Sequence, residues 1–481
     1  MREHDFCAIW SKTLLLTYEN QKSIIGENKK TAYIQLCTEE ENMKKVVKFG
    51  GSSLASAEQF KKVGDIIRSD ESRRYVVPSA PGKRFDGDIK VTDMLYECYR
   101  AAEKGEKIAG KIKKIQARYQ EIIDGLGLDL KLDEQFAEIE KNFIAQAGSD
   151  YAASRGEFLN GIVMANYLGY TFVDPAECIF FEDNGNLDGE MTYKKLAERL
   201  GGIDHAVIPG FYGSLHDGSV KTFSRGGSDV TGSIVAKAIH ADLYENWTDV
   251  SGMLVTDPRI VDNTAVIETI TYKELRELAY MGATVLHEDA IFPLRQEGIP
   301  INIRNTNRPQ DKGTVIVEST CYKPAYTITG IAGRKGFASI NIEKDMMNSE
   351  IGFGRKVLQV FEDNGLSFEH MPSGIDTLTV YVHQSEFEEK EQNIISGLHR
   401  AVAPDAIDLE ADLALIAVVG RGMRRNRGTA GRIFSALAHK HVNVKMIDQG
   451  SSELNIIIGV ENRDFETAIR AIYDIFVTAQ L

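Results

Sequence analysis

Three short stretches carry residue types and spacings that could move a charged group. The first is Lys48-Phe49-Gly50-Gly51-Ser52-Ser53. Two glycines directly after an apolar run let the backbone approach a ligand closely, because no Cβ intervenes. Free amides at the start of a following helix favour an anion, and Lys48 at the strand end could reach it. Taken alone, a tight strand–helix turn with a surface lysine explains the pattern equally well. It is not a Walker loop, since no G-x-x-x-x-G-K-[ST] occurs in the chain. The second stretch is Phe223-Ser224-Arg225-Gly226-Gly227-Ser228-Asp229. Ser228 and Asp229 would serve as N-caps, yet capping needs neither an arginine nor two glycines. A second anion-cradling turn, opposed to the first, would suit a phosphodonor and an anionic acceptor. The third is Trp247-Thr248-Asp249-Val250-Ser251-Gly252-Met253-Leu254 followed by Thr256-Asp257-Pro258-Arg259. It puts polar residues after a strand's carboxyl end, where α/β folds place ligands, although a D-P-R turn is commonly only a turn.

Other chemistries find no support. No Ser/His/Asp or Cys/His nucleophile arrangement stands out, and the ten histidines lack metal-ligand spacing. No protein-held metal site is therefore expected, and His287 and His370 read as structural. Gly420-Arg421-Gly422 with Arg424-Arg425 lacks the full dinucleotide fingerprint and reads as a loop.

The elements that must position these stretches follow from periodicity. Val46, Val47 and Phe49 make a short strand, Ser56-Ala57-Glu58-Gln59 a capping box, and Phe60, Val63, Ile66 and Ile67 a helical face. Tyr75–Val77 is a further strand. Lys104 to Gln146 reads as a surface pair of helices broken by Gly125 and Gly127, and Ser149–Leu168 as an amphipathic segment. Strands interleaved with helices imply parallel pairing in an α/β sandwich, continuing to about Val317. After Pro324 the rhythm changes. Strands Tyr326–Ile331, Ala338–Ile342 and Leu378–Val382 surround a helix, Phe353–Asn364. Leu413–Val419, Gly431–His441, Lys445–Ile447, Leu454–Val460 and Phe465–Val477 repeat that order, as two ferredoxin-like units in tandem would. The expected division is residues 43–318, 325–400 and 411–481.

Composition sets the frame. The 481 residues carry 56 Lys and Arg against 70 Asp and Glu, a net charge of −14. That sign opposes a nucleic-acid-wrapping surface. No apolar run approaches the roughly 18 residues that suggest a membrane span, so neither nucleic acid nor membrane is expected as a partner. Cys7, Cys37, Cys98, Cys178 and Cys321 are odd in number and widely spaced, which points to thiols in a reducing compartment. Residues 1–42 have no signal-peptide character and are expected to lie outside the fold, with Met43 as the natural start.

Taken together, Lys48-Phe49-Gly50-Gly51-Ser52, Gly156-Glu157, Arg225-Gly226-Gly227-Ser228-Asp229, Trp247-Thr248-Asp249-Val250 and Thr256-Asp257-Pro258-Arg259, in this order, resemble the aspartate kinases. The doubled tail resembles that family's two ACT regulatory domains. The resemblance implies the amino-acid kinase fold, an open and mostly parallel sheet between helices, and a cytoplasmic enzyme of lysine, threonine and methionine (and diaminopimelate) biosynthesis. It implies phosphorylation of the L-aspartate β-carboxylate by ATP with Mg²⁺. Lys48 would stabilise the transferring phosphoryl group and Arg225 would pair with an aspartate carboxylate. Glu157 would hold the substrate ammonium, Ser79 and Thr92 would touch the same substrate, and Ser228 and Asp229 would order the site. Lys48, Phe49, Gly50, Gly51, Ser52, Thr248, Asp249, Leu254, Arg259 and Thr284 would face the nucleotide. Three positions depart from the pattern: Thr284 stands where many relatives have lysine, Leu254 where tyrosine is frequent, and Asn160 where serine is common.

The same resemblance implies an amino-acid effector and a homodimer or dimer of dimers joined through the ACT domains. Gly352, Phe353, Ser367, Phe368, Glu369 and Asp376 fall in the equivalent effector region. Glu369 and Asp376 would hold the ammonium groups of a basic effector, and amides near Gly352-Phe353 its carboxylate. Lysine is the expected inhibitor, with threonine, alone or with lysine, as the alternative. A non-catalytic amino-acid sensor is the alternative outside enzymology.

Overall fold

The computed structural model describes residues 43–224, 226–283, 286, 288–320 and 324–480. The N-terminal extension and the expected roles of Arg225 and Thr284 lie outside the described residues. The chain divides into two compact units, one ending at Glu245 and the other starting at Asn246.

In the first unit, β1 (Lys45–Phe49) buries Val46, Val47 and Phe49 completely. A strand covered on both faces is the mark of a parallel sheet. It pairs in parallel with β2 (Arg73–Pro78), placing Lys48 opposite Val77. Between them runs α1 (Ala57–Arg68), opened by Ser56, whose Oγ accepts from the Gln59 amide at 3.4 Å. Its buried face is the expected one, Phe60, Val63, Ile66 and Ile67. After β2 come α2 (Val91–Glu103), α3 (Ala109–Leu126), α4 (Asp133–Ile144) and α5 (Ser149–Leu168). Then β3 (Thr171–Phe172) and β4 (Ala206–Val207) extend the sheet in parallel beyond β2, and α6 (Gly227–Ala238) leads to β5 (Leu243–Thr248), next to β1.

Two readings of this region need correction. The α3/α4 pair is not a surface appendage, because Ile115, Tyr119, Ile122 and Phe143 are buried in the core. The break between the helices comes at Gly127 (φ 69°), while Gly125 stays inside α3 because a Cβ there would sit 2.5 Å from Ala57 Cβ. Nor is α5 amphipathic, since Ala152 through Glu157 are all buried. A helix buried all round lies inside the domain rather than on it.

In the second unit, β6 (Thr269–Thr271) leads directly into α7 (Tyr272–Tyr280), and β7 (Ile301–Asn305) and β8 (Thr314–Val317) pair antiparallel, with β8 parallel to β6. The rest is a five-stranded antiparallel sheet. Where two strands were expected, one fourteen-residue strand, β9 (Gly330–Glu343), is found. The remaining elements are α8 (Phe353–Asp363), β10 (Thr377–His383), α9 (Glu391–Val402), β11 (Ala406–Val419), α10 (Thr429–His439), β12 (Met446–Asp448), β13 (Asn455–Glu461) and α11 (Phe465–Phe476). The sheet order is β10-β9-β11-β13-β12. The two halves interlock rather than follow one another. β9 and β11 pair along their whole lengths, with irregularities on either side of Phe337. β10 takes only the Phe337–Glu343 end of β9, and β13 only the Leu413–Val419 end of β11. Each half therefore borrows a strand end from the sequence of the other. Val357, Phe361, Ile394 and Leu398 from α8 and α9 fill the first half's core.

The first unit also carries a buried ion pair. Arg73 Nε lies 2.8 Å from Glu245 Oε2, and the two side chains are 7% and 2% exposed. Removing Glu245 takes the nearest counter-charge from a buried guanidinium that keeps Asp70 at 3.8 Å and the Ile66 carbonyl, a cost of up to about 3–5 kcal/mol. Glu245→Ala should therefore lower the urea midpoint of the intact protein clearly. A midpoint equal to wild type would show that the pair holds nothing together.

Candidate active site

Lys48 sits at the carboxyl end of β1 and is only 8% exposed. Its Nζ meets Asp229 Oδ1 at 2.6 Å, which joins the first glycine bend to the second. The first bend is closed from the side by the loop after β2. Gly82 N donates to Gly51 O at 2.8 Å, and Ser79 N to Phe49 O at 3.1 Å. A Cβ on Gly51 would lie 2.8 Å from Ala80 O, and one on Gly82 would lie 2.6 Å from Gly51 C. The two backbones touch, and only glycine at both positions permits it.

The second bend is built to match. Gly226 takes the left-handed conformation (φ 57°) as N-cap of α6, and its carbonyl accepts from the amides of Asp229 and Val230. Ser228 is 8% exposed and lies against Gly210, where a Cβ would come within 2.6 Å of Ser228 Cβ. Ser228, Asp229 and Lys48 are thus brought together, while Arg225 is outside the described residues.

Helix α5 supplies the third wall. Gly156 lets it approach the β2 loop, since a Cβ there would lie 2.8 Å from Ala80 Cβ and 3.7 Å from Thr92 Oγ1. Tyr119 Oη donates to Gly156 O, and Asn160 Nδ2 donates to Ser79 O at 2.6 Å. Glu157, 6% exposed, receives a hydrogen bond from the Ala80 amide, but its Oε2 is buried with no partner among the described residues. Burial pushes its carboxyl up to about 8. Such a group must either carry a proton or meet a cation, so it is a ready receptor for an ammonium group. Ser79, Thr92 and Glu157, predicted together, are found together. The Ala80 amide and Arg118 were missed. Arg118 was legible in principle, because it lies three residues after Ile115 and four before Ile122, on the apolar stripe of α3.

In the second unit the Thr248–Asp249 stretch is pinned by its neighbours. Thr306 N donates to Thr248 O, and Asn305 Nδ2 donates to Asp249 O and Ser251 Oγ. Leu254 bridges to Val266. Arg259 is 88% exposed along its side chain and forks onto Asp257, with Nη2–Oδ2 at 2.6 Å. An exposed pair of this kind is screened by solvent and weak, so the guanidinium can leave it cheaply for another anion.

In the effector region, Gly352 (φ 83°) caps α8 and Phe353 is buried. Asp376 Oδ1 accepts from the Met346 amide. Ser367 and Phe368 directly precede Glu369, and the Phe368 ring is 41% exposed. Both Glu369 oxygens are engaged: Tyr280 Oη donates to Oε2 at 2.7 Å, and His383 Nε2 lies 3.2 Å from Oε1. Tyr280 is the last residue of α7, and the Tyr280 hydroxyl is pushed up to about 12, chiefly by that hydrogen bond. The other end of α7 is held too. Glu274, fully buried, closes the capping box with Thr271 and also accepts from Thr329 Oγ1, the Arg421 amide and Arg421 Nη1.

An amino acid kinase family model matches residues 43–305, and an ACT domain model matches residues 416–476. The chain is 40% identical over 458 residues to aspartokinase 3 of Bacillus subtilis, covering 91% of this chain and 99% of that one. The structure of Clostridium acetobutylicum aspartate kinase matches with a TM-score of 0.81 and 51% identity, over 90% of this chain and 100% of that one. Escherichia coli aspartokinase III shares the fold at 24% identity, with a TM-score of 0.65 in complex with aspartate and ADP and 0.64 in complex with lysine and aspartate. Each match covers 90% of this chain and 99% of that one. Among the described residues no helix is long and apolar enough to cross a membrane. With its glycine bends, its buried lysine and its C-terminal ACT region, the chain belongs to the amino acid kinase family, as one of its aspartate kinases.

Proposed function

We propose that the chain transfers the γ-phosphoryl group of ATP to the β-carboxylate of L-aspartate, giving 4-phospho-L-aspartate, and that lysine acting on the ACT region turns the reaction down. The observation that carries the substrate reading is Glu157, a buried carboxylate whose Oε2 has no partner among the described residues and which accepts from the Ala80 amide, on the loop that packs against the Gly51 bend. The acceptor carboxylate has a solution pKa near 3.9, so it is ionised at neutral pH and needs no general base. What it needs is relief from repulsion. Two like unit charges at ~4 Å repel by about 4 kcal/mol at an effective dielectric near 20. Convergent cations and amides therefore do most of the catalysis.

In this reading Glu157 holds the substrate ammonium, Arg225 pairs with a carboxylate as a guanidinium fork can, and Ser79 and Thr92 orient the rest. Lys48 turns from Asp229 to the transferring phosphoryl group. The amides of Gly50, Gly51 and Ser52 receive phosphate oxygens, and Thr248, Asp249, Leu254 and Arg259 attend the nucleotide. Mg²⁺ supplies further positive charge and takes most of its ligands from phosphates and water, with Asp229 as the nearby carboxylate once Lys48 has moved. The E. coli protein's aspartate and ADP are the ligands this reading requires.

For regulation, α7 supplies the support. Arg421 and Thr329 hold its start, and Glu369 holds its end. A lysine ammonium drawn to Glu369 would compete with Tyr280 and loosen the helix that leads into the turn at Met281 and Gly282. The lysine complex of the E. coli protein favours this effector over threonine. Assembly through the ACT region belongs to the same reading.

The direct test is ATP- and aspartate-dependent acyl phosphate formation, trapped with hydroxylamine and repeated with lysine and with threonine. Lys48→Ala should abolish turnover and leave the fold intact; a wild-type rate would remove Lys48 from the chemistry. The raised Glu157 pKa gives a second prediction. Below about pH 8 the free protein holds a proton there that the substrate ammonium must displace, so affinity should rise as pH rises. KM for aspartate should fall by roughly 20- to 30-fold between pH 6.5 and 8.5, and Glu157→Gln should raise KM and flatten that dependence. A flat wild-type profile would count against the assignment. Finally, Glu369→Ala should raise the lysine needed for half-inhibition severalfold with uninhibited turnover nearly intact, whereas Tyr280→Phe should lower it. Unchanged lysine sensitivity in both variants would remove Glu369 from the effector site.

A further inference from the structure

Arg118 takes no part in the assignments above, yet it is a buried charged group in contact with both loops that meet at the first glycine bend. It is 5% exposed. Its Nη2 donates to Ala55 O at 2.8 Å and to Gly82 O at 3.1 Å, and lies 3.5 Å from Asp88 Oδ2. Ala55 caps the single 3₁₀ turn, Gly51–Leu54, that follows the bend. Gly82 is the residue whose amide bonds Gly51 O. One nitrogen therefore ties the exit of the first bend to the loop that closes it from the side. Arg118 Nε and Nη1 are buried without partners among the described residues.

As packing alone this is a poor choice. A buried guanidinium with unmet donors is worse than a methionine or leucine of similar volume. A single guanidinium nitrogen that donates to carbonyls on two different loops does what an apolar side chain cannot, and lysine, with a compact ammonium on a flexible stem, holds that geometry less well. Its platform is stiff. Seven residues on, two turns along the same face of α3, Gly125 lets the helix press against Ala57 at the start of α1. Helix, bend and side loop are thereby fixed to one another.

We propose that Arg118 is a positioning residue for phosphoryl transfer: it clamps the Gly51 bend to the Gly82 loop so that the bend's amides present one anion-binding surface. This rests on the phosphate role given to that bend above. A misplacement of about 1 Å can cost around 100-fold in rate, which sets the expected scale.

The experiment is steady-state kinetics of Arg118→Ala and Arg118→Lys in the full chain, with thermal unfolding measured alongside and guanidinium ion added back. Arg118→Ala should lower kcat/KM for ATP by tenfold or more while KM for aspartate changes little, and free guanidinium should restore part of the loss. Arg118→Lys should be intermediate. Activity lost only in proportion to unfolded protein, with unchanged KM values and no rescue by guanidinium, would overturn the proposal. If guanidinium rescues but the effect falls on KM for aspartate, the clamp stands and the phosphate assignment of the bend fails instead. The two readings are therefore separable.

Discussion

The contact on which the rest of the first unit depends is the one between Lys48 and Asp229. Two glycine bends separated by some 180 residues of sequence meet there at 2.6 Å. A lysine this enclosed needs a counter-charge, and the carboxylate supplies it. In the proposed reaction the pair is a placeholder, which keeps the cation aimed until a phosphate takes the place of the carboxylate. The elements around it serve that geometry: parallel strands β1 and β2, glycines where a Cβ would collide, and a buried α5 that brings Glu157 against the loop closing the first bend.

How far this was legible in the sequence depends on the kind of signal. The strand–glycine–helix pattern at Lys48 and Gly226 is local, and it correctly foretold both bends and the face of α1. The long-range pieces were not legible in that way. Nothing in the segment Lys104–Gln146 announces that its charge-laced surface conceals a core helix, because the buried stripe is narrow and the exposed face dominates the composition. Helix α5 misled for the opposite reason: small residues such as Ala152, Ala153 and Gly156 weaken an apolar pattern, yet close approach requires them. Asn160 was noted only as a departure from its relatives, whereas it fixes the loop of Ser79 by a hydrogen bond.

The regulatory half teaches a similar lesson about connectivity. The repeat of strands and helices was plain, but pairing between distant strands cannot be read from periodicity. Glu369 was placed near an effector on its charge, and Tyr280 and His383 both engage that carboxylate. In the proposed reading it would be a switch contact rather than an idle ligand, since anything that takes it must first release something else. Here the released group would be the end of a nine-residue helix whose other end is anchored on Glu274.

The interlocked strands β9 and β11 have a consequence for how this protein can be cut and recombined. Because each runs through both halves of the C-terminal sheet, neither half is a removable cassette. A graft bounded at the linear repeat would sever a ladder in the donor and leave an open edge in the recipient. Evolution must therefore alter the two halves residue by residue in place, and exchange of effector specificity between homologues requires moving the whole sheet at once.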